Sequence, residues 1–287
     1  MTVGFLGLGT MGFAMASNLL KGSELVLGWN RSDEPADRFA LAGGKKAESA
    51  KAALALPISF SMLANDQACD LVLAMENLTP GTIHVGMASI SPDKADELEQ
   101  RFAAVGASYV SAPVLGRPAV AAAGALNIIA GGDAAAIDEA RPYLETMSTK
   151  IWAVGQSPRT ANLIKIAVNY NILHAIQAIA ESVALAESAG VEADDFVELL
   201  TSTLFGSVVY KGYGEQIASG DHSNVLFSMP LGKKDLSLAI DAAAESGLVL
   251  PTANTLMSLM DQALLNPELA DKDWAAVAEV TLKQTKK

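Results

Sequence analysis

Near its start the chain passes from a short apolar run, Thr2-Val3-Gly4-Phe5-Leu6, directly into Gly7-Leu8-Gly9-Thr10-Met11-Gly12, and then into a helix-like stretch through Met15, Leu19 and Leu20 to Gly22. Three glycines at this spacing, between a strand and a helix, form a turn whose amides converge on a helix N-terminus. Gly7 makes the tight turn, Gly9 leaves the backbone open to a pyrophosphate, and Gly12 lets the helix lie close on the strand. This is the dinucleotide fingerprint in the context it requires, and it commits the first part of the chain to βαβ units. A purely structural glycine turn would not need three glycines so placed.

The pattern continues. Apolar runs at 2–6, 24–29, 57–63, 82–87, 108–113, 126–130 and 150–154 read as strands. The segments 93–105 and 133–147 have acidic first turns and apolar residues at helical spacing, as crossover helices do. Strands alternating with helices predict an α/β, Rossmann-type, doubly wound parallel sheet. From about residue 160 the pattern changes. Residues 161–189 form one long helical stretch without Gly or Pro, closed by Gly190 as a C-cap. Further helices are expected at 193–203, 231–246 and 251–265, with Gly206, Gly212, Gly214, Gly220, Pro230, Gly247 and Pro267 as punctuation. The expected organisation is a nucleotide-binding domain at 1–160, a long interdomain helix at 161–190, and an all-α domain for substrate and dimer contacts at 191–287.

Two further positions bear on chemistry. At the end of the second strand, where an acid usually binds the ribose diol of NAD, the chain has Trp29-Asn30-Arg31-Ser32. A guanidinium and a hydroxyl there suit a 2′-phosphate, so NADP is favoured over NAD. Lys165 and Asn169 are four residues apart near the start of the long helix and share one face. A lysine near the positive helix end, partly buried, is disfavoured in its charged form and suited to acid–base work. Taken alone, such a pair is more often solvated surface.

Charge and composition narrow the partners. Twenty Lys and Arg against 32 Asp and Glu give a net charge of -12 without a polybasic arm, which makes nucleic acid and anionic membranes poor partners. Although 51% of residues are apolar, no window of about 20 residues reads as a membrane span, and the N-terminal run leads into the glycine turn rather than a cleavage site. These features predict a cytoplasmic protein. Cys69 has no partner for a disulfide and reads as a buried residue, while His84, His174 and His222 do not form a metal set.

Together these segments resemble the β-hydroxyacid dehydrogenase family, which includes 3-hydroxyisobutyrate dehydrogenase and the tartronate and glyoxylate/succinic semialdehyde reductases. The resemblance runs nearly end to end. It rests on the glycine turn with Ala16-Ser-Asn-Leu-Leu20, Asn30-Arg31-Ser32, Ser61-Met62-Leu63, Ala88-Ser89-Ile90-Ser91-Pro92, Ala112-Pro113-Val114, Lys165 with Asn169, and Lys234-Asp235-Leu236. It implies that Lys165 protonates a carbonyl oxygen as nicotinamide delivers hydride, or takes the hydroxyl proton in reverse, and that Asn169 helps hold the substrate. Gly7, Gly9, Thr10, Met11, Gly12, Asn30, Arg31, Ser32, Met62, Leu63, Ser89 and Lys234 would line the cofactor, with Asp235 ordering the surroundings on the substrate side.

The chain also departs from the family. Ala112-Pro113-Val114 is usually followed by Ser-Gly-Gly, which receives a carboxylate; here stand Leu115-Gly116-Arg117, so Arg117 is expected to take that role. The Gly-x-Gly often found before the lysine is Arg159-Thr160-Ala161, and Val168 replaces a frequent Asn. The function expected is NADPH-dependent reduction of a small aldehyde or oxo acid to a hydroxy acid. An imine reductase is the alternative, since Leu115 makes the pocket less polar, although relatives of that kind commonly carry Asp or Tyr at the lysine position; a non-catalytic NADPH-binding module is the third reading. A homodimer is expected, with apolar helices such as Leu256-Met257-Ser258-Leu259-Met260 partly exposed in a single subunit.

Overall fold

The computed structural model describes residues 1–23 and 25–285 and divides into two compact units, Met1–Lys165 and Ile166–Lys287. The strands are β1 (Thr2–Leu6), β2 (Leu25–Trp29), β3 (Lys45–Lys46), β4 (Ile58–Ser61), β5 (Ile83–Gly86), β6 (Ser108–Ser111), β7 (Val114–Leu115), β8 (Leu126–Gly132) and β9 (Ser148–Gly155). Between them lie α1 (Thr10–Leu19), α2 (Asp33–Leu41), α3 (Ala50–Leu54), α4 (Asp66–Val72), α5 (Pro92–Ala104), α6 (Pro118–Ala122) and α7 (Ala134–Met147).

The first six strands are parallel in the order β3-β2-β1-β4-β5-β6, the doubly wound arrangement predicted from the sequence. The winding reverses between β1 and β4, which opens a crevice at their carboxyl ends. Both faces are covered, as a parallel sheet requires. Phe5, Val26, Phe60 and Val85 pack with Met15 and Leu19 of α1 and Leu144 of α7 on one side. Leu6, Leu54, Leu98 and Phe102 pack together on the other.

The far side of the sheet is mixed rather than parallel. β8 runs antiparallel to both β6 and β7, and only β9 is parallel to it. Pro113 interrupts one strand without turning it: it has no N–H to donate, its carbonyl accepts from Ile129 N–H at 2.9 Å, and β7 runs on in the direction of β6 with the same register against β8, which is where the chain returns. β3 and β7 are too short to leave a periodic signal. The second predicted strand begins at Glu24, which lies outside the described residues; from Leu25 to Trp29 it is formed.

The boundary between the units falls within α8 (Pro158–Ser188). The rest of the second unit is α9 (Ala193–Ser202), α10 (Val208–Ser219), α11 (Met229–Glu245), α12 (Ala253–Leu265) and α13 (Ala278–Thr285), with a 3₁₀ turn at Trp274–Val277. Its core joins Leu173, Ile176 and Val183 to Met229, Leu236, Met260 and Trp274. Trp274 Nε1–H donates to the Tyr213 hydroxyl at 2.7 Å, so the buried indole keeps its polar bond.

Gly190 ends α8 with φ +82, as expected of a C-cap. Three other expectations are corrected. Gly212 and Gly214 do not punctuate; they lie inside α10, where a Cβ on Gly214 would stand 2.7 Å from Val197 Cγ1, so the small residue serves the packing of α9 on α10. In the 256–260 stretch Met257 and Leu259 are half-buried as expected, but Leu256 and Met260 are buried in the unit's own core because they share the inward face of α12 with Ala263. The exposed apolar side chains are elsewhere, notably Leu204, Val208, Val249 and Leu265. Finally, α8 is long and apolar enough, by length and composition, to cross a membrane, a window the sequence reading did not find. Its Ile176, Ile179, Ala180 and Val183 are buried, which is the disposition of a core helix.

Candidate functional site

The glycine turn lies at the sheet's switch point. Gly7 has φ +90, and a Cβ there would stand 2.4 Å from the Met62 carbonyl oxygen; its N–H donates to the Trp29 carbonyl at 2.8 Å. Only glycine fits both the angle and the space. A Cβ on Gly12 would lie 1.8 Å from the Gly7 oxygen, so α1 rests on the turn itself. At Gly9 a Cβ meets nothing within 4 Å. Gly9 and Thr10 are exposed at the start of α1, where free amides and the helix dipole attract an anion, and Met11 is half-buried against the core. This open cradle between two closed glycines fits a dinucleotide pyrophosphate.

Beside it, Asn30 is committed to the protein. Its Oδ1 accepts from Leu8 N–H at 2.9 Å, while its Nδ2 donates to the Ser32 carbonyl and hydroxyl at 3.1 and 3.0 Å. Asn30 thus pins the glycine turn to the end of β2. Arg31 and Ser32 are exposed immediately beyond it.

The neighbouring strands deliver Met62, Leu63 and Ser89 to the same carboxyl edge, all three half-buried. Met62 N–H donates to the Leu6 carbonyl at 2.9 Å. The turn carrying Ser89 is held at its far end by Asp66, whose carboxylate accepts from the Ser91 N–H at 3.1 Å and hydroxyl at 2.5 Å. Beneath this edge His84 is fully buried, its Nδ1 2.8 Å from Ser59 Oγ and its Nε2 2.9 Å from Ser61 Oγ, with the ring stacked on Phe102. Burial pushes its pKa down to about 3, so it is neutral at any working pH. Cys69 is buried as expected, and desolvation raises its thiol pKa to about 12.

Leu115 lies in β7 opposite Asn127, Gly116 follows with φ +146, and Arg117 caps α6, its carbonyl accepting from Val120 and Ala121 N–H. The positive φ lets the chain turn from strand to helix within one residue. Lys165 is half-buried on α8. The helix begins at Pro158, three residues earlier than predicted, so Lys165 lies about two turns in, beyond the first turn where the helix end acts strongly. The dipole argument for its reactivity therefore loses force.

In the second unit, Asn169 is buried and its Nδ2 donates to Asp235 Oδ2 at 2.5 Å, a charge-assisted bond joining α8 to α11. Lys234 Nζ stands 3.2 Å from Asp235 Oδ1 as an ion pair without the alignment of a hydrogen bond. Asp235 is 2% exposed and touches Asn169. Among the described residues no group of three or more His, Cys, Asp or Glu could hold a metal ion. Sequence reasoning missed Asn162, Ser111 and Asp66, single polar residues whose partners lie far away in the chain.

Residues 2–155 match the family model for the NAD binding domain of 6-phosphogluconate dehydrogenase, and residues 160–281 that for the NAD-binding region of NADP-dependent 3-hydroxyisobutyrate dehydrogenase. An uncharacterized oxidoreductase of Bacillus subtilis, YfjR, is 34% identical over 96% of this chain and 98% of its own. An NAD-dependent L-serine dehydrogenase of Pseudomonas aeruginosa is 30% identical, with 97% of each chain covered. The 3-hydroxyisobutyrate dehydrogenase of Mycobacterium tuberculosis, solved with L-serine, superposes with a TM-score of 0.86 at 29% identity, covering 97% of this chain and 98% of that one. The chain belongs to the β-hydroxyacid dehydrogenase family. It is an NAD(P)-dependent oxidoreductase acting on the hydroxyl/carbonyl pair of a small molecule.

Proposed function

We propose that this protein uses NADPH to reduce a small aldehyde or a 2- or 3-oxo acid to the corresponding hydroxy acid, with Lys165 giving a proton to the carbonyl oxygen. The observation that carries this reading is the open amide cradle at Gly9, set at the switch point of a doubly wound sheet whose last helix bears Lys165 and, one turn on, Asn169. When bound, the cofactor supplies hydride to the carbonyl carbon. The turn from Gly7 to Gly12 holds its pyrophosphate, Asn30 keeps that turn in place, and Arg31 with Ser32 binds the 2′-phosphate. Met62, Leu63 and Ser89 border the nucleotide, and Lys234 is assigned by family resemblance to its nicotinamide end.

Lys165 Nζ loses its proton as charge develops on the substrate oxygen, and in the oxidative direction it takes the hydroxyl proton. Asn169 hydrogen-bonds the substrate, its amide turned by the Asp235 carboxylate. Arg117 and the amides around Gly116 receive an acidic group: a planar guanidinium can bind a carboxylate through two charge-assisted bonds.

In this reading residues 1–160 bind the nucleotide, 161–190 link, and 191–287 serve the substrate and a second copy of the chain in a cytoplasmic homodimer. The exposed Leu204, Val208, Val249 and Leu265 are apolar side chains that a second copy could cover. NADPH oxidation by the purified protein is measured across small aldehydes, semialdehyde acids, oxo acids and cyclic imines, with L-serine and other hydroxy acids in the oxidative direction. Turnover of semialdehyde or oxo acids, with a KM that Arg117→Ala raises about tenfold for acids and not for uncharged analogues, is the expected result. Turnover confined to imines, or equal response of both substrate kinds to Arg117→Ala, overturns it.

A further inference from the structure

Asn162 is 1% exposed on the first unit's part of α8, three residues before Lys165, and its carboxamide is used on both sides. Nδ2 donates to Ser111 Oγ at 2.7 Å and lies 3.4 Å from the Pro158 carbonyl; Oδ1 accepts from Ile90 N–H at 3.4 Å. Ile90 follows Ser89 in the turn after β5, and Ser111 is the last residue of β6, immediately before the arm that leads to Leu115, Gly116 and Arg117. One side chain therefore joins the cofactor-side turn, the substrate-side arm and the helix bearing Lys165.

The backbone explains how α8 comes so near. Ser111 pairs with Gly131 across the antiparallel β6–β8 seam, and a Cβ on Gly131 would stand 2.6 Å from the Ser157 carbonyl and 3.1 Å from Ala161 Cβ. The helix thus starts directly on that seam because position 131 carries no side chain. A second tie, Arg159 to Asp93 and Asp96 on α5 at 2.5 and 2.8 Å, is partly exposed. Exposed ion pairs hold geometry weakly. The buried carboxamide has no water to replace a lost partner, so it is the stricter of the two.

We propose that Asn162 is a positioning residue: its two-sided amide fixes the Ser89 turn and the 112–117 arm to the start of α8, and so sets the place of Lys165 relative to both. The catalytic part of this inference rests on Lys165 being the proton donor; the structural part does not. Residues 162 and 165 are neighbours on the helix surface, so a shift of the seam under Asn162 carries Lys165 with it. Misplacement of a reacting group by about 1 Å can cost roughly a hundredfold in rate.

The test compares wild type with Asn162→Ala, Asn162→Asp and Ser111→Ala. Hydrogen–deuterium exchange is expected to rise about tenfold or more in segments 86–92 and 111–118 of Asn162→Ala, with 25–29 unchanged; kcat falls about tenfold to a hundredfold while the NADPH dissociation constant moves less than about threefold. A protonated Asp supplies one donor and one acceptor, enough for the bonds to Ser111 and Ile90, whereas a carboxylate lacks the donor. Asn162→Asp should therefore regain activity as the pH is lowered from 8 toward 6, and Asn162→Ala should not. If Asn162→Ala fails to fold, Asn162→Asp and Ser111→Ala carry the same comparison. Unchanged exchange in both segments, or kcat within twofold of wild type, overturns the proposal. A wild type that reduces no carbonyl substrate removes the reading of Lys165 instead, and the exchange data still decide the role of Asn162.

Discussion

The turn after β1 and the pair Asn169–Asp235 are built from opposite materials. In the first, nearly everything is main chain: two glycines are forced by the space around them, a third is left open, and the one side chain that matters, Asn30, is spent on holding the turn. In the second, two side chains on different helices meet, and a buried carboxylate dictates which way an amide faces. Backbone sites impose spacing on the sequence, because an added Cβ at Gly7 or Gly12 is sterically excluded. Side-chain sites impose only chemistry, since many positions on a helix could bring an Asp to an Asn.

The largest effect expected from this contrast is at Lys165. Lys165→Ala should lower turnover by about 10² to 10⁴ while leaving NADPH affinity nearly unchanged, because proton transfer is lost and the glycine cradle is untouched. Steady-state kinetics with a parallel nucleotide titration measure both. Turnover within threefold of wild type removes Lys165 from the mechanism, and a matching loss of nucleotide affinity dissolves the division between the two regions.

Next in size is the interior beneath the nucleotide edge, where His84 is held neutral between Ser59 and Ser61. Its folded pKa is depressed to about 3 against an ordinary value of 6.5. Above pH 6.5 neither state binds the proton; as the pH falls below it, the unfolded chain takes up a proton that the folded chain refuses. Stability should then fall by up to about 1.4 kcal/mol per pH unit from this residue alone, down to the folded pKa. Urea unfolding of wild type and His84→Asn at pH 7, 5.5 and 4.5 tests it: the stability gap between them should narrow on acidification, and parallel curves would show that His84 is not the group responsible.

Glycine substitutions break the cradle in two distinguishable ways. Gly12→Ala drives a methyl into the Gly7 carbonyl and should destabilise the fold by about 1 to 3 kcal/mol or more, an overpacking cost. Gly9→Ala meets no protein atom, so the melting temperature should hold while NADPH binding weakens about tenfold. Thermal melts with and without NADPH separate them. A Gly9→Ala variant that binds NADPH as well as wild type would move the pyrophosphate away from this turn.

Legibility in the sequence followed the same division. The fingerprint, five of the first six strands (all but the two-residue β3) and the C-cap at Gly190 were readable because each rests on a local backbone demand. The antiparallel return through β8 was not, since an apolar run marks a strand and says nothing of its direction in the sheet. α10 was lost because Gly212 and Gly214 look like breaks when read locally, and only Val197 on the neighbouring helix shows why Gly214 is small. Asn162 carried no pattern: its partners are 51 and 72 residues away. Lys165 and Asn169 are singled out through family resemblance and their shared helical face, whereas the bond from Asn169 to Asp235 required coordinates.

The smallest predicted effect concerns the exception in the backbone-built region, where selectivity is assigned to a side chain. Arg31 is exposed just past the Asn30 pin, at the place where an acid would repel a 2′-phosphate and bind a ribose diol. A guanidinium attracts the phosphate through charge and paired N–H donors, and Ser32 adds a hydroxyl that already accepts from Asn30 Nδ2. The preference for NADPH over NADH should be at least about tenfold, or roughly 1.4 kcal/mol, a modest value because an exposed charge pair is screened by solvent and salt. Arg31→Ala should erase most of that difference by weakening NADPH alone, and the wild-type preference should shrink as ionic strength rises. Titrating both nucleotides against both proteins at low and high salt measures each part. Equal affinities in the wild type, or an NADPH affinity that Arg31→Ala leaves unchanged, would place cofactor choice elsewhere and leave the cradle a purely main-chain device.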